Sequence, residues 1–217
     1  MDLKKHHKPT FDNIPEEKRL RIIETATKEF ARKGYHDASI SSIASKSNIS
    51  VGAIYKYFDN KQDLFLTIID YSIERMELLL RDLAKEDEDV ILKVQKILRE
   101  IIKSSREDSL LIKLYNGMTA INDKNLAKQF ADEMERITSE IYKEAIIEGQ
   151  KNGEIRTDID PEVAAFLIDN IFMTLQFSYA EDYYMERFKI FCGDEIQDKD
   201  EFIIEQVLKF IKSALRK

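Results

Sequence analysis

Apolar residues recur at intervals of three and four along most of the chain, the spacing of one helix face. Ile22, Ile23, Ala26 and Phe30 form the first stripe, opened by Pro15, Glu16 and Glu17 and closed by Gly34. Proline pre-sets the first-turn backbone, acids favour the positive end of the helix dipole, and glycine ends helices. Ser39 is placed to cap a helix over 40–47 with Ile43 and Ala44 inward, and Ser50 one over 51–58 with Ile54 and Phe58 inward. Asn60, with Asp63 three residues on in a capping arrangement, opens a longer helix. Its stripe is Leu64, Phe65, Ile68, Ile69, Met76, Leu79, Leu80 and Leu83. Val90, Val94, Ile97, Leu98, Ile101 and Ile102 mark the next, and a shorter apolar helix covers 110–120. Leu126, Phe130, Met134, Ile137, Ile141 and Ala145 lie on one side of a helix over 124–148, its end bracketed by Gly149 and Gly153. Asp160-Pro161 opens a helix apolar over most of its circumference, from Val163 to Leu175, and such a helix is buried on several sides. The last runs from about Asp200, with Phe202, Ile203, Val207, Phe210, Ile211 and Ala214. Residues 1–14 have no period and read as a flexible polar tail. The pattern predicts an all-α chain of about nine helices.

Composition sharpens this reading. The 217 residues include only 6 Gly and 3 Pro, and none of either lies in 53–116. An all-β sandwich or barrel needs a turn about every 8–12 residues, usually with one of them. The 64-residue interval cannot be one rod, which at 1.5 Å per residue would be ~96 Å long. Polar clusters at 85–89 and 104–109 are the expected breaks. A single cysteine, Cys192, excludes an intrachain disulfide and a cysteine-rich metal site. The charged start Met1–Lys8 has no apolar core behind it, and no apolar run approaches the ~18 residues of a membrane span. A cytoplasmic protein with no membrane partner is expected. The net charge of −7 is unevenly spread: residues 1–60 hold 11 basic against 8 acidic groups, and residues 61–217 hold 23 against 33. The N-terminal part is therefore the place to seek an anionic partner.

The two short helices at 40–47 and 51–58 are joined by Asn48-Ile49-Ser50, and Asn tolerates a left-handed backbone. Two short helices on a tight turn form a helix-turn-helix unit, whose second helix enters the DNA major groove by its N-terminal end. Ser50 and the free N–H groups beside it can hold a phosphate. Gly52 and Ala53 allow close approach of the backbone, and Tyr55, Lys56 and Tyr57 add hydroxyls and a cation. Lys61, in the first turn of the next helix, is unfavourable for the dipole unless an anion sits there.

The run Ile22-Ile23-Glu24-Thr25-Ala26, Phe30-Ala31-Arg32-Lys33-Gly34-Tyr35, Ser39-Ile40-Ser41-Ser42-Ile43-Ala44 and Ile49 to Leu64 resembles the N-terminal domain of tetracycline-repressor-type (TetR-family) regulators. That resemblance implies a three-helix DNA-binding domain over 15–60 and a C-terminal domain over 61–217 that binds a small effector and dimerises. Its last two helices would form a four-helix bundle with those of a second copy. It places DNA contacts on Ser39, Ser41, Ser50, Val51, Gly52, Ala53, Tyr55, Lys56, Tyr57 and Lys61. Asn48 replaces the glycine common in the turn. Val51 stands where a polar side chain is frequent, so base reading there would be by apolar contact, such as a thymine methyl.

Residues 166–191 hold 8 of the 21 aromatics. With Tyr115, Met118, Phe130, Met134, Phe172 and Phe177 as lining residues, an apolar or amphipathic effector such as a fatty-acyl compound or a hydrophobic drug is expected. Phe166, Ile171, Phe202, Val207 and Phe210 are the candidate homodimer contacts. The reading is a ligand-responsive repressor released from a palindromic operator, without cofactor, metal or enzymatic activity. The rivals are a helical adaptor that binds no DNA and a helical-bundle enzyme. The second lacks its chemistry: none of His6, His7 and His36 follows a Glu at the di-iron spacing, and no P-loop, dinucleotide turn or hydrolase elbow occurs.

Overall fold

A computed structural model of the chain describes residues 5–85, 89–119 and 124–216. Residues 1–4 of the predicted tail, 86–88 of the predicted acidic break, and the side chains of Leu79 and Leu83 lie outside it. The described residues form eleven α-helices and one short 3-10 helix. In chain order these are α1 (Pro9–Asp12), α2 (Glu16–Asp37), α3 (Ile40–Lys46), α4 (Val51–Tyr57), α5 (Lys61–Lys85), α6 (Val90–Glu107), α7 (Ser109–Thr119), α8 (Lys124–Lys151), α9 (Pro161–Ala180), α10 (Asp182–Cys192), the 3-10 helix (Asp194–Asp198) and α11 (Asp200–Leu215).

The helix count exceeds the expected nine by two. α10 is separated from α9 by Glu181 alone, whose extended backbone (φ −114°, ψ 129°) breaks the helix with neither Gly nor Pro. α1 lies in the segment expected to be a flexible tail. Residues 5–14 are instead held in place, because Pro9 sits in the first turn of α1 and carries Phe11 into a fully buried site. Elsewhere the capping grammar holds. Asn60 Oδ1 accepts from the Asp63 N–H at 2.9 Å, and Asp160 Oδ1 from the N–H groups of Glu162 and Val163 at 3.0 Å. Gly34 (φ 73°, ψ 169°) kinks α2 one turn before its end, a conformation that disfavours any side chain.

Two compact units form. The first comprises Met1–Met76 with Lys113–Ala131, the second Glu77–Ile112 with Asp132–Lys217. The core of the first gathers Phe11, Ile22, Phe30, Ile43, Ile54, Phe58, Leu64, Phe65 and Ile68. Charged groups are sunk into it as well. Glu29, on α2, is 2% exposed and is tied to Lys33 Nζ and Lys46 Nζ, each at 2.7 Å, and to Ser42 Oγ at 3.0 Å. Lys33, then Lys46 and Ser42, outweigh the cost of burial and pull its carboxyl down to about 2. The cluster stitches α2 to α3.

In the second unit α6, α9 and α11 share a core of Val94, Leu98, Ile101, Ile168, Phe172, Leu175, Ile203, Ile204 and Ile211, closed by Ile146 and Ile155. By length and composition alone α9 matches a membrane span, but half of its apolar window is buried in this core. Asp169 lies half-buried on α9. Burial first, and the charge of Glu135 second, push its carboxyl up to about 6.

Two stability tests follow. Glu29 is more acidic folded than the usual 4.5, so its contribution is complete above that pH and fades as pH falls towards 2. Glu29→Gln should cost about 1.5–3 kcal/mol at pH 7, the worth of a charge-assisted bond to a buried carboxylate. An unchanged Tm at pH 7 would contradict the assignment. Asp169 has the opposite sign: its folded value lies above the usual 3.8, so it destabilises increasingly as pH rises through 6. Asp169→Asn should therefore raise Tm at pH 7.5, with a smaller gain at pH 5. Equal gains at both pH values would remove burial of the charge as the cause.

Candidate nucleic-acid interface

α3 and α4 are each only seven residues long. Both begin at a serine cap. Ser39 Oγ accepts from the Ser42 N–H at 3.4 Å, and Ser50 Oγ from the Ala53 N–H at 3.1 Å. Between them Asn48 adopts a left-handed backbone (φ 56°), as the turn requires. The Ile49 N–H donates to Ala44 O at 3.0 Å, and Arg21 Nε on α2 donates to Ser47 O at 3.2 Å, which fixes the turn against α2. Ile43, Ala44 and Ile54 are buried between the helices.

This leaves one face of the pair uncovered. Ser41, Ser50, Val51, Gly52, Tyr55 and Lys56 are exposed, while Ser39 and Ala53 are half-buried. Val51 and Tyr55 are one turn apart, as are Gly52 and Lys56, so four residues make a continuous strip along α4. Gly52 has no internal reason to be glycine. A Cβ there would meet nothing nearer than Ser50 Oγ at 3.9 Å, and its backbone is not left-handed.

Two candidate residues lie differently from the expectation. Tyr57 is 6% exposed and packs on Phe11 and Phe58, with ring centroids 5.6 and 6.3 Å away. Its position, three residues after Ile54, is on the inward face of α4. Lys18 Nζ donates to its hydroxyl at 3.1 Å and stands 5.6 Å from its ring centre. Lys61 Nζ donates to His36 O at 2.8 Å and Ala38 O at 3.3 Å, 5.0 Å from the Tyr35 ring centre. Two of its three N–H donors thus tie down the connection between α2 and α3.

Lys8, Thr10 and Phe11 also reach α4, and periodicity did not select them. Their only signals were one large apolar side chain in a polar stretch and a proline at a helical first turn.

The residues assigned to an effector pocket divide between the units. Tyr115, Met118 and Phe130 belong to the first, Met134, Phe172 and Phe177 to the second. Phe130 packs on Phe65, with centroids 5.0 Å apart, Phe172 on Tyr142 at 5.7 Å, and Phe177 on Tyr184 at 5.1 Å. Burial against the core of the second unit pushes the Tyr142 hydroxyl well above its usual range. Of the dimer candidates, Phe166, Phe202 and Phe210 are 65%, 52% and 68% exposed, whereas Ile171 and Val207 are half-buried. Val163 and Leu167 extend the exposed apolar row on α9.

Residues 22–68 match the family described as bacterial regulatory proteins, tetR family. The chain is 30% identical over 159 residues to the probable acrEF/envCD operon repressor of Escherichia coli (strain K12), covering 71% of this chain and 72% of that protein. It is 27% identical over 156 residues to the fatty acid metabolism regulator protein of Bacillus subtilis (strain 168), covering 70% and 77%. Among solved structures, the transcriptional regulator FadR of Bacillus subtilis in complex with stearoyl-CoA shares the fold, with a TM-score of 0.72 at 20% identity over 87% of this chain and 97% of that one. With its helix-turn-helix and its match in sequence over two thirds of a repressor, the chain belongs to the tetR family of DNA-binding, ligand-responsive transcriptional regulators.

Proposed function

We propose that this regulator is a repressor that binds a palindromic operator as a homodimer and leaves it when an apolar or amphipathic effector binds. The reading face is Ser39, Ser41, Ser50, Val51, Gly52, Ala53, Tyr55 and Lys56, with the remaining donor of Lys61 free to meet a phosphate. The observation that carries this is Gly52, a residue whose missing side chain the fold does not require. Within a helix, glycine is less favourable than alanine by about 1 kcal/mol. A close approach from outside the protein accounts for retaining it. The basic excess of residues 1–60 favours the same anionic partner.

Dimerisation is supported by the exposed row Val163, Phe166 and Leu167 on α9 and by Phe202 and Phe210 on α11. Single exposed apolar side chains are ordinary, but large ones repeated along two helices mark a contact surface. A twofold dimer would then set the two copies of α4 about 34–36 Å apart, one helical turn of DNA, or a multiple of it. An effector that favours another spacing releases DNA by no more than its differential affinity for the two states. The name of one relative, fatty acid metabolism regulator, and the stearoyl-CoA held by a structural neighbour support a fatty-acyl effector.

Gly52→Ala should fold with an unchanged or higher Tm and bind its operator at least about tenfold more weakly, the scale of one spoiled base-pair contact. Full operator affinity in that variant would remove α4 as the reading element. The operator itself would come from sequencing the DNA retained by the purified protein. Stearoyl-CoA at saturating concentration should lower operator affinity, and operator DNA should weaken stearoyl-CoA binding by the same factor. Unaltered operator affinity with stearoyl-CoA bound would defeat the gating, and stabilisation by hydrophilic metabolites alone would defeat the effector class.

A further inference from the structure

The strip on α4 binds DNA more tightly the larger the fraction of molecules in which α4 is already formed and aimed. Seven residues are too few to ensure this, since isolated helices shorter than about 12–15 residues are marginal in water. The last four carbonyls of any helix also lack partners within it. In α4 those are the carbonyls of Ile54, Tyr55, Lys56 and Tyr57, and all four are engaged. Ile54 O accepts from the Phe58 N–H at 2.9 Å. The other three bonds come from the N-terminal segment: Lys8 Nζ to Tyr55 O at 2.9 Å, Thr10 Oγ1 to Lys56 O at 2.6 Å, and the Lys8 N–H to Tyr57 O at 2.8 Å.

Water could satisfy exposed carbonyls equally well. It could not hold them at a fixed place. The N-terminal segment can, because it is anchored on the far side. Phe11 is fully buried, with its ring centroid 4.9 Å from that of Phe58 and 5.6 Å from that of Tyr57. His6 Nδ1 lies 3.0 Å from Asp70 Oδ2 on α5, both side chains almost fully enclosed. Arg19 Nη1 on α2 donates to Asp12 O at 2.6 Å and to Ile14 O at 3.1 Å. Lys8 Nζ also meets Asp59 Oδ1 at 2.7 Å. The segment therefore ties the end of α4 to α2 and α5 at once.

We propose that residues 6–12 are a clamp that pre-forms and aims the reading helix, with Lys8 and Thr10 as positioning residues that act through the α4 carbonyls. This rests on α4 being the DNA-reading element. An ordered clamp raises the fraction of molecules ready to bind, and apparent affinity scales with that fraction.

Hydrogen exchange on the full-length free protein tests the clamp without DNA. Thr10→Val keeps the side-chain shape and removes the donor. It should speed exchange of the α4 amides about fivefold, the effect of one lost hydrogen bond, and Thr10→Ser should restore wild-type rates. Phe11→Ala, which withdraws the anchor, should weaken operator binding about tenfold while leaving the salt dependence unchanged, because no phosphate contact is lost. Wild-type exchange in Thr10→Val overturns the clamp, as does full operator affinity in a folded Phe11→Ala protein. If Phe11→Ala fails to unfold cooperatively, the Thr10 pair decides alone. Accelerated exchange in Thr10→Val alongside full operator affinity in Gly52→Ala would instead place the fault in the reading of α4.

Discussion

A helix of seven residues cannot hold itself, and much of the first unit follows from that constraint. α4 has its N-terminus closed by its own Ser50 and its C-terminus closed by Lys8 and Thr10. One side is sunk through Ile54 and Tyr57, which leaves Val51, Gly52, Tyr55 and Lys56 facing outward. Propensity contributes little, because glycine and the β-branched and aromatic residues of α4 are mediocre helix formers. Packing and capping determine where this helix is, so its outward strip is free to be chosen for something other than stability.

Charge in this unit works mainly at short range. Glu29 joins α2 to α3 through Lys46 and Ser42, and Lys61 joins the α2–α3 connection to the start of α5. Lys18 and Lys8 both touch the end of α4. Several cations that make residues 1–60 net basic are therefore first of all ties between helices. Lys61 differs, since its cation is hydrogen-bonded to the neutral carbonyls of His36 and Ala38 and so still lends its sign to the surface.

The second unit follows a different rule. Its core is mainly aliphatic and shared by three helices, with Tyr179 linking α9 to α11 through a 3.0 Å bond to Asp200, beside Arg106. α9 is apolar on more sides than this core can use, and the surplus surfaces as Val163, Phe166 and Leu167. Asp169 is the exception on α9, a carboxyl kept half-buried at a cost that rises with pH.

How much of this was legible in the chain depended on whether the cause was local. Most helix positions, the caps at Ser39, Ser50, Asn60 and Asp160 and the left-handed turn at Asn48 follow from residues within four positions of one another, and the sequence alone determined them; Gly34 reads as the end of α2, yet the helix resumes beyond its kink to Asp37. The outward strip of Val51, Gly52, Tyr55 and Lys56 is likewise local, because a 3.6-residue period assigns faces without reference to anything else. Tertiary structure decided the remainder. Tyr57 reads as one more hydroxyl beside Tyr55; three residues after Ile54 it faces inward, and Phe11, 46 residues away in the chain, packs against it there. Lys61 reads as a lone cation at a helix start, and only the carbonyls of His36 and Ala38 give it a structural task. The polar N-terminal segment has no period of its own and becomes ordered because the partners it needs, the open end of α4 and a carboxylate on α5, are supplied by residues 55–57 and 70. Such pairings depend on which surfaces the fold brings together, and short-range pattern carries no record of them.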